Sequence, residues 1–498
     1  MKQRMPDVAK LLKNGIANIA TGGSAAILTL IVPFFLVRLL RPDDFSLWML
    51  LFPLANYFNF IGLGFQVSLS RFIAVGKANH SSNQQARLLR QAIVQVAVIS
   101  LLVLAGFGLV SLRLQDIFPS INPSLISSGR LTLFLLCIAN AISLPFSLFG
   151  AVFIGIQRND LNAIIQLSAR SFIAIATIGL AFMSCELGFV AIAYLVAMVL
   201  SSLGQYFFFR HVAPFGHTEA PFNSIGSNLV TGRTFLSYSL SLSVWSAVSL
   251  FLVAVPTSIV GALDYAAVAG FSLANTLLAF FIGIYNALIT PMTQSVAARY
   301  GSAHDSVDFH MELRRFSFIC TVLLILSSAW LIVLAPAFMM AWVGPQRALE
   351  ALPFIIWLTL ANVLRNMQSP FLVFVIAVGK QSKIFWLPII EAVIATAGSL
   401  CFGATYGAFA VGISLSVAAA ISAAITTTIA VPLVLGDQHD YKSYLSDSFL
   451  RPLTLTSPVI AVVVSQSWLT SQSVLFILMV LSSGISLWLV WRRTTLRA

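Results

Sequence analysis

The chain has 498 residues, 59% of them hydrophobic and only 9% charged, with a mean hydropathy of +0.94 and a net charge of +12. A soluble domain carries about a quarter of its residues as charges, so this composition excludes a soluble globular fold. The apolar residues come in runs of about 18 to 28, which is the length of a membrane-crossing helix, and lack the alternation of a membrane β-barrel.

An all-α polytopic membrane protein follows, because helices satisfy every backbone polar group within one segment. The runs predict fourteen spans, at about 15–40, 44–70, 88–112, 129–155, 162–184, 187–209, 234–260, 265–297, 316–343, 350–379, 383–403, 406–434, 450–467 and 473–491. The first run, Gly15 to Leu40, is too long for a signal-peptide core and lacks a small-residue cleavage pattern, so it reads as the first span. An even count puts both termini on one side. With the N-terminus in the cytoplasm, 21 of the 28 Lys and Arg fall in inside segments and five (Arg38, Arg41, Arg113, Arg130 and Arg347) in outside ones. Arg170 and Arg365 lie within spans. This positive-inside bias accounts for the basic charge, and no nucleic-acid partner is expected.

A short signature is written twice. "FPLAN" at Phe52 to Asn56 returns as "FSLAN" at Phe271 to Asn275, each followed eight residues later by a glycine, Gly64 and Gly283. Val32-Pro33 returns as Val255-Pro256, Pro145-Phe146 as Pro370-Phe371, and Gly188 as Gly407, at offsets between 219 and 225. Four matches in one order at nearly one offset predict two six-helix lobes, 1–215 and 234–435. A cytoplasmic linker at 216–233 joins them, and 436–498 holds two further helices and a basic tail. Six is even, so the lobes share one orientation and a pseudo-two-fold axis along the membrane normal, an arrangement suited to alternating access. Pro33 and Pro256, at matching places, read as hinges or as ordinary transmembrane prolines. Asn56 and Asn275 read as interhelical hydrogen-bonding groups or as cavity-lining ones.

Ionisable groups inside a span are costly and therefore candidates for function. Arg365 sits in "LANVLRNMQSPF" beside Asn362, Asn366 and Gln368. It is either a fixed cation for a phosphate or acidic sugar, or a structural arginine held by amides. Arg170 and Glu391 are 221 residues apart, at equivalent places in the repeat and roughly 13 Å deep. Three readings stand: a gating pair between Arg170 and Glu391, a pair between Glu391 and Arg365 within one lobe, or Glu391 as carrier of a coupling proton. Arg38 and Arg41 either line the outer cavity mouth or snorkel to the surface; Arg71 either meets phosphate at the inner entrance or anchors its helix. Cys137, Cys185, Cys320 and Cys401 lie in no CxxC or Cys/His cluster, and the six histidines have no ligand spacing, so neither disulfide nor metal site is expected.

The stretch "LLRPDDFSLWMLLFPLANYFNFIGLGFQVSLSRFIAVGK" resembles the second-span region of polysaccharide flippases of the O-antigen type. These belong to the multidrug/oligosaccharidyl-lipid/polysaccharide exporter superfamily. Asp44, Phe45, Leu47, Trp48, Gly64 and Arg71 carry that likeness, and "TSIVGALDYAAVAGFSLANTL" and "GKQSKIFWLPIIEAVIATAGSLCFGATYGAFAVGISL" extend it over nearly the whole chain. The resemblance implies a non-enzymatic transporter in the bacterial cytoplasmic (inner) membrane. It would move an oligosaccharide on a polyprenyl pyrophosphate carrier to the outer leaflet for surface polysaccharide or lipopolysaccharide synthesis. It implies no cofactor, leaves a coupling H+ or Na+ open, and names membrane lipids, a polysaccharide polymerase and glycosyltransferases as candidate partners. The rival readings are a cation-coupled multidrug or metabolite antiporter and, more remotely, a membrane glycan polymerase.

Overall fold

A computed structural model describes residues 27–78, 82–156, 158–184, 186–212, 232–300, 306–377, 383–435, 438–468 and 472–495. The predicted linker at 216–233 lies almost wholly outside these residues, as do the first half of the first span and Cys185. By contact the chain groups into two units, Met1–Ser272 and Leu273–Ala498.

The first unit begins with α1 (Ile27–Leu39), α2 (Pro42–Ala55), α3 (Phe58–Ala78), α4 (Ser82–Leu112) and a single turn, α5 (Leu114–Ile117). It continues with α6 (Pro123–Gly155), α7 (Asn159–Met183), α8 (Leu187–Val212) and α9 (Gly232–Leu263), and ends in a 3-10 turn at Tyr265–Ala267 and the start of α10 (Val268–Tyr300). Pro42 and Pro123 stand in the first turns of α2 and α6, where a missing N–H costs nothing. α6 is the central helix. Its Leu144, Leu148, Phe149, Val152 and Phe153 pack with Phe65 and Leu69 of α3, Ala92 of α4 and Phe209 of α8. Phe149 stacks on Phe209 with ring centroids 4.7 Å apart.

The second unit holds the rest of α10, then α11 (Ser306–Val343), α12 (Pro345–Asn366), α13 (Ser369–Ala377), α14 (Trp386–Tyr406), α15 (Ala408–Ile425) and α16 (Val431–Leu435). α17 (Gln438–Leu445), α18 (Arg451–Leu455), α19 (Ser457–Val464) and α20 (Gln472–Thr495) follow. Its core gathers Leu313, Phe316, Cys320 and Leu324 of α11, Phe371 and Phe374 of α13, and Tyr444 of α17. A second cluster joins Val322 and Ala329 of α11 to Val459 of α19 and Met479 of α20. Cys137 and Cys320 are buried free thiols, and Cys401 is an exposed one.

Many large apolar side chains point outward, among them Leu101, Leu102 and Leu109 on α4 and Ile477, Leu481 and Ile485 on α20. The protein is a multi-pass, all-α membrane protein. Ten described helices are long and apolar enough to cross, and the pair Lys442–Leu455 and Ser457–Val464, bent by 54°, forms either a broken eleventh span or a re-entrant loop. Three predicted spans do not meet that measure among the described residues: α1 is described over only its last part, the second span divides into α2 and α3, and in α9 the stretch that counts is the shorter Ala254–Leu263.

The repeated motifs do not fold alike. α2 ends at Asn56, where Asn56 N–H reaches both Phe52 O and Pro53 O, whereas α10 runs unbroken through Asn275. Pro53 makes the difference: it has no N–H to give Met49 O, four residues back. The Ser272 hydroxyl of the second motif donates to that same Met49 carbonyl at 3.2 Å. Gly407, at φ +67°, turns α14 into α15 in a conformation that favours glycine, while its sequence match Gly188 lies inside α8.

Elsewhere α3 and α9 approach backbone to backbone. A Cβ on Gly64 would stand 2.2 Å from Ser243 Oγ and 2.3 Å from Ser243 N. One turn on, Phe235 of α9 meets Phe65 and Phe72 with centroids 6.0 and 5.8 Å away. Overpacking such a contact costs about 1–3 kcal/mol. Gly64→Val is therefore expected to lower the melting temperature of the purified protein, while Gly179→Ala, which meets nothing within 4 Å, leaves it unchanged or raised. Equal melting temperatures for the two variants would show that the helices do not depend on this close approach.

Candidate functional site in the membrane

The polar side chains of the tenth predicted span cluster where α12 gives way to α13. Pro370 lacks the N–H that would bond Asn366 O, and the chain tightens into a turn at Met367–Gln368, with Gln368 N–H on Arg365 O at 3.3 Å. Three amides turn back on their own helix: Asn362 Nδ2 donates to Leu358 O at 2.8 Å, Asn366 Nδ2 to Asn362 O at 2.8 Å, and Gln368 Nε2 to Leu364 O at 3.3 Å. Two side chains reach further. Gln368 Oε1 accepts the Thr426 hydroxyl, and Arg365 Nε donates to Glu391 Oε1 of α14 at 2.7 Å.

Thr426 opens a π turn, Thr426–Ala430, between α15 and α16. Thr426 N–H still reaches Ser422 O there, so the hydroxyls add to the backbone ladder. The single Thr426 hydroxyl proton is shared between Gln368 Oε1 and Ser422 O, while Thr427 donates to Ala423 O and Thr428 to Ala424 O. Thr426 was not among the residues singled out from the sequence. Its signal is the run Thr426-Thr427-Thr428 in an otherwise alanine-rich span.

The ion pair is the second of the three arrangements open in the sequence. Glu391 is 5% exposed at its side chain and Arg365 24%. Among the described residues, Arg365 Nη2 is buried and has no hydrogen-bond partner. The guanidinium thus holds one donor on Glu391 and keeps another unused. Arg170 is exposed on α7 and makes no ion pair among the described residues.

The remaining candidates stand on α1, α2, α3, α9 and α10. Arg38 Nη1 donates to Phe34 O at 2.6 Å, and the guanidinium sits 3.8 Å over the Phe34 ring. Arg41 is exposed at the start of α2, and Arg71 is exposed on α3. Asn56 Nδ2 donates to Phe52 O at 2.9 Å, so this amide seals its own helix end. Asn275 is half-buried in α10. Pro33 and Pro256 are buried, and α1 and α9 continue through them. The first motif is held instead by hydroxyls: Tyr265 Oη donates to Asp43 O at 2.9 Å, Ser120 Oγ to Gly261 O at 2.8 Å, and Tyr57 Oη and Ser258 Oγ lie 3.2 Å apart.

Removing one partner of a buried pair strands the other charge, at a cost of about 3–5 kcal/mol, whereas removing both can be neutral. Glu391→Ala should reduce the yield and melting temperature of the protein, and the double variant Arg365→Met with Glu391→Leu should restore both. A double variant as unstable as Glu391→Ala would mean that the pair does not act as a unit.

The fold is shared with known transporters. The lipid II flippase MurJ in an inward closed conformation superposes with a TM-score of 0.71 at 15% identity, covering 96% of this chain and 99% of that one. A transporter of the multidrug/oligosaccharidyl-lipid/polysaccharide superfamily from Pyrococcus furiosus gives 0.59 at 13% identity, over 84% and 93%. An inward-facing multidrug resistance transporter of the same superfamily gives 0.57 at 16%, over 82% and 96%. Among curated proteins none matches the sequence significantly. The sequence pattern of the polysaccharide biosynthesis protein family matches residues 11–296, more than half of the chain, and the protein belongs to that family.

Proposed function

We propose that the protein flips a polyprenyl-pyrophosphate-linked oligosaccharide from the cytoplasmic to the outer leaflet of the bacterial inner membrane, for O-antigen-like surface polysaccharide. In this reading fourteen spans form lobes at 1–215 and 234–435, related by a pseudo-two-fold axis, and alternate in access around a central path. Helices 13 and 14, within 436–498, lie outside the repeat, and both termini are cytoplasmic. The partners are the lipid-linked glycan, membrane lipids, and the glycosyltransferases and polymerase that act before and after the crossing.

One observation carries the choice of substrate class. The flippase superposes over 96% of this chain, whereas the multidrug and Pyrococcus transporters superpose over 82% and 84%. Shared length therefore favours the lipid-linked class over the antiporter. The half-buried Arg365 guanidinium, whose Nη2 has no partner among the described residues, is in keeping with an anionic cargo, since a planar fork suits phosphate or carboxylate. Arg38, Arg41 and Arg71 extend a basic path towards the two faces in this reading, with Asn56, Asn275 and Asn362 as polar lining.

The test is a deletion in the source organism, with polyprenyl-linked glycans and surface polymer measured together. Loss of polymer, with its single lipid-linked repeat unit accumulating, is the expected result. Unchanged glycans with altered sensitivity to organic cations would replace this reading by the antiporter. In the complemented strain, Arg365→Gln should cut polymer output at least tenfold at equal protein level, with partial recovery in Arg365→Lys.

A further inference from the structure

α7 carries a polar stripe that takes no part in the Arg365–Glu391 ion pair and whose side chains make no hydrogen bonds among the described residues. Asn162, Gln166 and Arg170 stand four residues apart, so they fall within an arc of about 80° and climb about 12 Å along the helix. The exposed apolar residues of α7, Ile164, Leu167, Phe172 and Ile175, occupy the opposite arc. The stripe therefore turns away from the face that meets lipid. Asn162 and Gln166 are half-buried and Arg170 is exposed. None of the three side chains has a hydrogen-bond or ion-pair partner among the described residues.

The neighbouring helix is shaped for these groups. A Cβ on Gly150 of α6 would lie 2.6 Å from Asn162 Oδ1 and 3.5 Å from Gln166 Nε2. Both amide heads thus rest over bare backbone, and glycine is what admits them. One turn earlier on α6, the Ser147 hydroxyl accepts from Gln66 Nε2 of α3 at 2.9 Å, adding another polar contact beside the stripe.

Unpartnered amides and a guanidinium inside a membrane are tolerated where they face water or a ligand. An amide offers a donor and an acceptor together, which matches a sugar hydroxyl. A guanidinium matches a phosphate or carboxylate. Glu391, the acidic group that the repeat offers to Arg170, is already engaged by Arg365. We propose that Asn162, Gln166 and Arg170 form a binding track for an anionic glycan head, the amides holding sugar hydroxyls and Arg170 an anionic oxygen group. Gly150 sets the clearance of the track. The assignment rests on the flippase reading and names the part of the cargo that this unit holds.

The experiment uses the full chain with its four native cysteines replaced by alanine. Single variants Asn162→Cys, Gln166→Cys and Arg170→Cys are compared with Ile164→Cys and Leu167→Cys in membrane vesicles, using a membrane-impermeant maleimide that reacts only where water reaches. Labelling at least tenfold faster at the track positions is expected, and equal or inverted rates overturn the track. Farnesyl pyrophosphate and glucuronate are then tested for protection of Asn162→Cys, with glucose as the neutral control. Protection that persists in Arg170→Lys and disappears in Arg170→Gln supports the assignment. Protection by the pyrophosphate alone places the carrier's phosphate at Arg170, and by glucuronate alone an acidic sugar; protection by neither overturns the site. If deletion abolishes the polymer while Arg170→Gln exports at the full rate, the track fails and the flippase reading stands. If deletion leaves glycans unchanged, the flippase reading fails and the labelling ratio still judges whether the track is a wetted path.

Discussion

A backbone carbonyl that loses its partner inside hydrocarbon costs several kcal/mol until another donor replaces it, and the departures from regular helix in this protein follow that constraint. Pro53 cannot bond Met49 O, and the Ser272 hydroxyl takes that carbonyl. Pro370 cannot bond Asn366 O, and the chain answers with a tight turn whose amides fold back on the same helix. At the π turn after α15, three threonine hydroxyls occupy Ser422, Ala423 and Ala424 carbonyls. At Met49 O a distant hydroxyl stands in for the missing N–H and at Leu364 O the Gln368 amide does, while the Thr426 hydroxyl reinforces Ser422 O, which the Thr426 N–H already serves.

This habit sorts the polar residues of the membrane region into two kinds. Asn56, Asn362 and Asn366 spend their donors on carbonyls one turn back, so their presence says little about what the cavity binds. Arg365 is different, because its Nε crosses to α14 while Nη2 is buried without a partner. A guanidinium paired to one carboxylate is close to neutral as a unit, which makes its burial tolerable. Its unused donor gives direction to what remains. A single charge pair with a spare donor is thus both a structural tie between α12 and α14 and a polar group with capacity left over.

Composition and run length made the helical membrane fold legible, and helices such as α6, α7, α8, α11 and α14 fall where the apolar runs predict them. The breaks were not legible in the same way. Phe-x-Leu-Ala-Asn is written twice, yet one copy ends a helix and the other continues it, because the variable position is Pro53 in one and Ser272 in the other. Pro145 and Pro370 invert the pattern: α6 passes through the first, while α12 stops short of the second. Proline alone does not decide: α6 runs through Pro145, and the donor that stands beside a freed carbonyl, such as Ser272 at Met49 O, is not written in the local pattern. The partner of Glu391 was undecidable for a related reason. Arg170 matches Glu391 in depth while Arg365 lies at a different depth within reach of it, and only the lateral placement of α12 and α14, both packed on α15, selects Arg365.

The contacts that α2 and α3 make with α9, the turn leading into α10 and the start of α10 have a physical character of their own. Along α2 and α3 they are made by Ser272, Tyr265 and Ser258 hydroxyls, by the bare backbone at Gly64, and by the edge-on rings of Phe65, Phe72 and Phe235. Hydroxyl bonds between membrane helices contribute about 1 kcal/mol or less each, and a small-residue contact has no interlocked side chains to disengage. Phe65 and Phe235 also belong, with Phe149, Phe153 and Phe209, to one buried cluster, where parting the rings would open a cavity. Hydroxyls and bare backbone therefore set how α9 lies on α2 and α3, and the shared ring cluster holds it there.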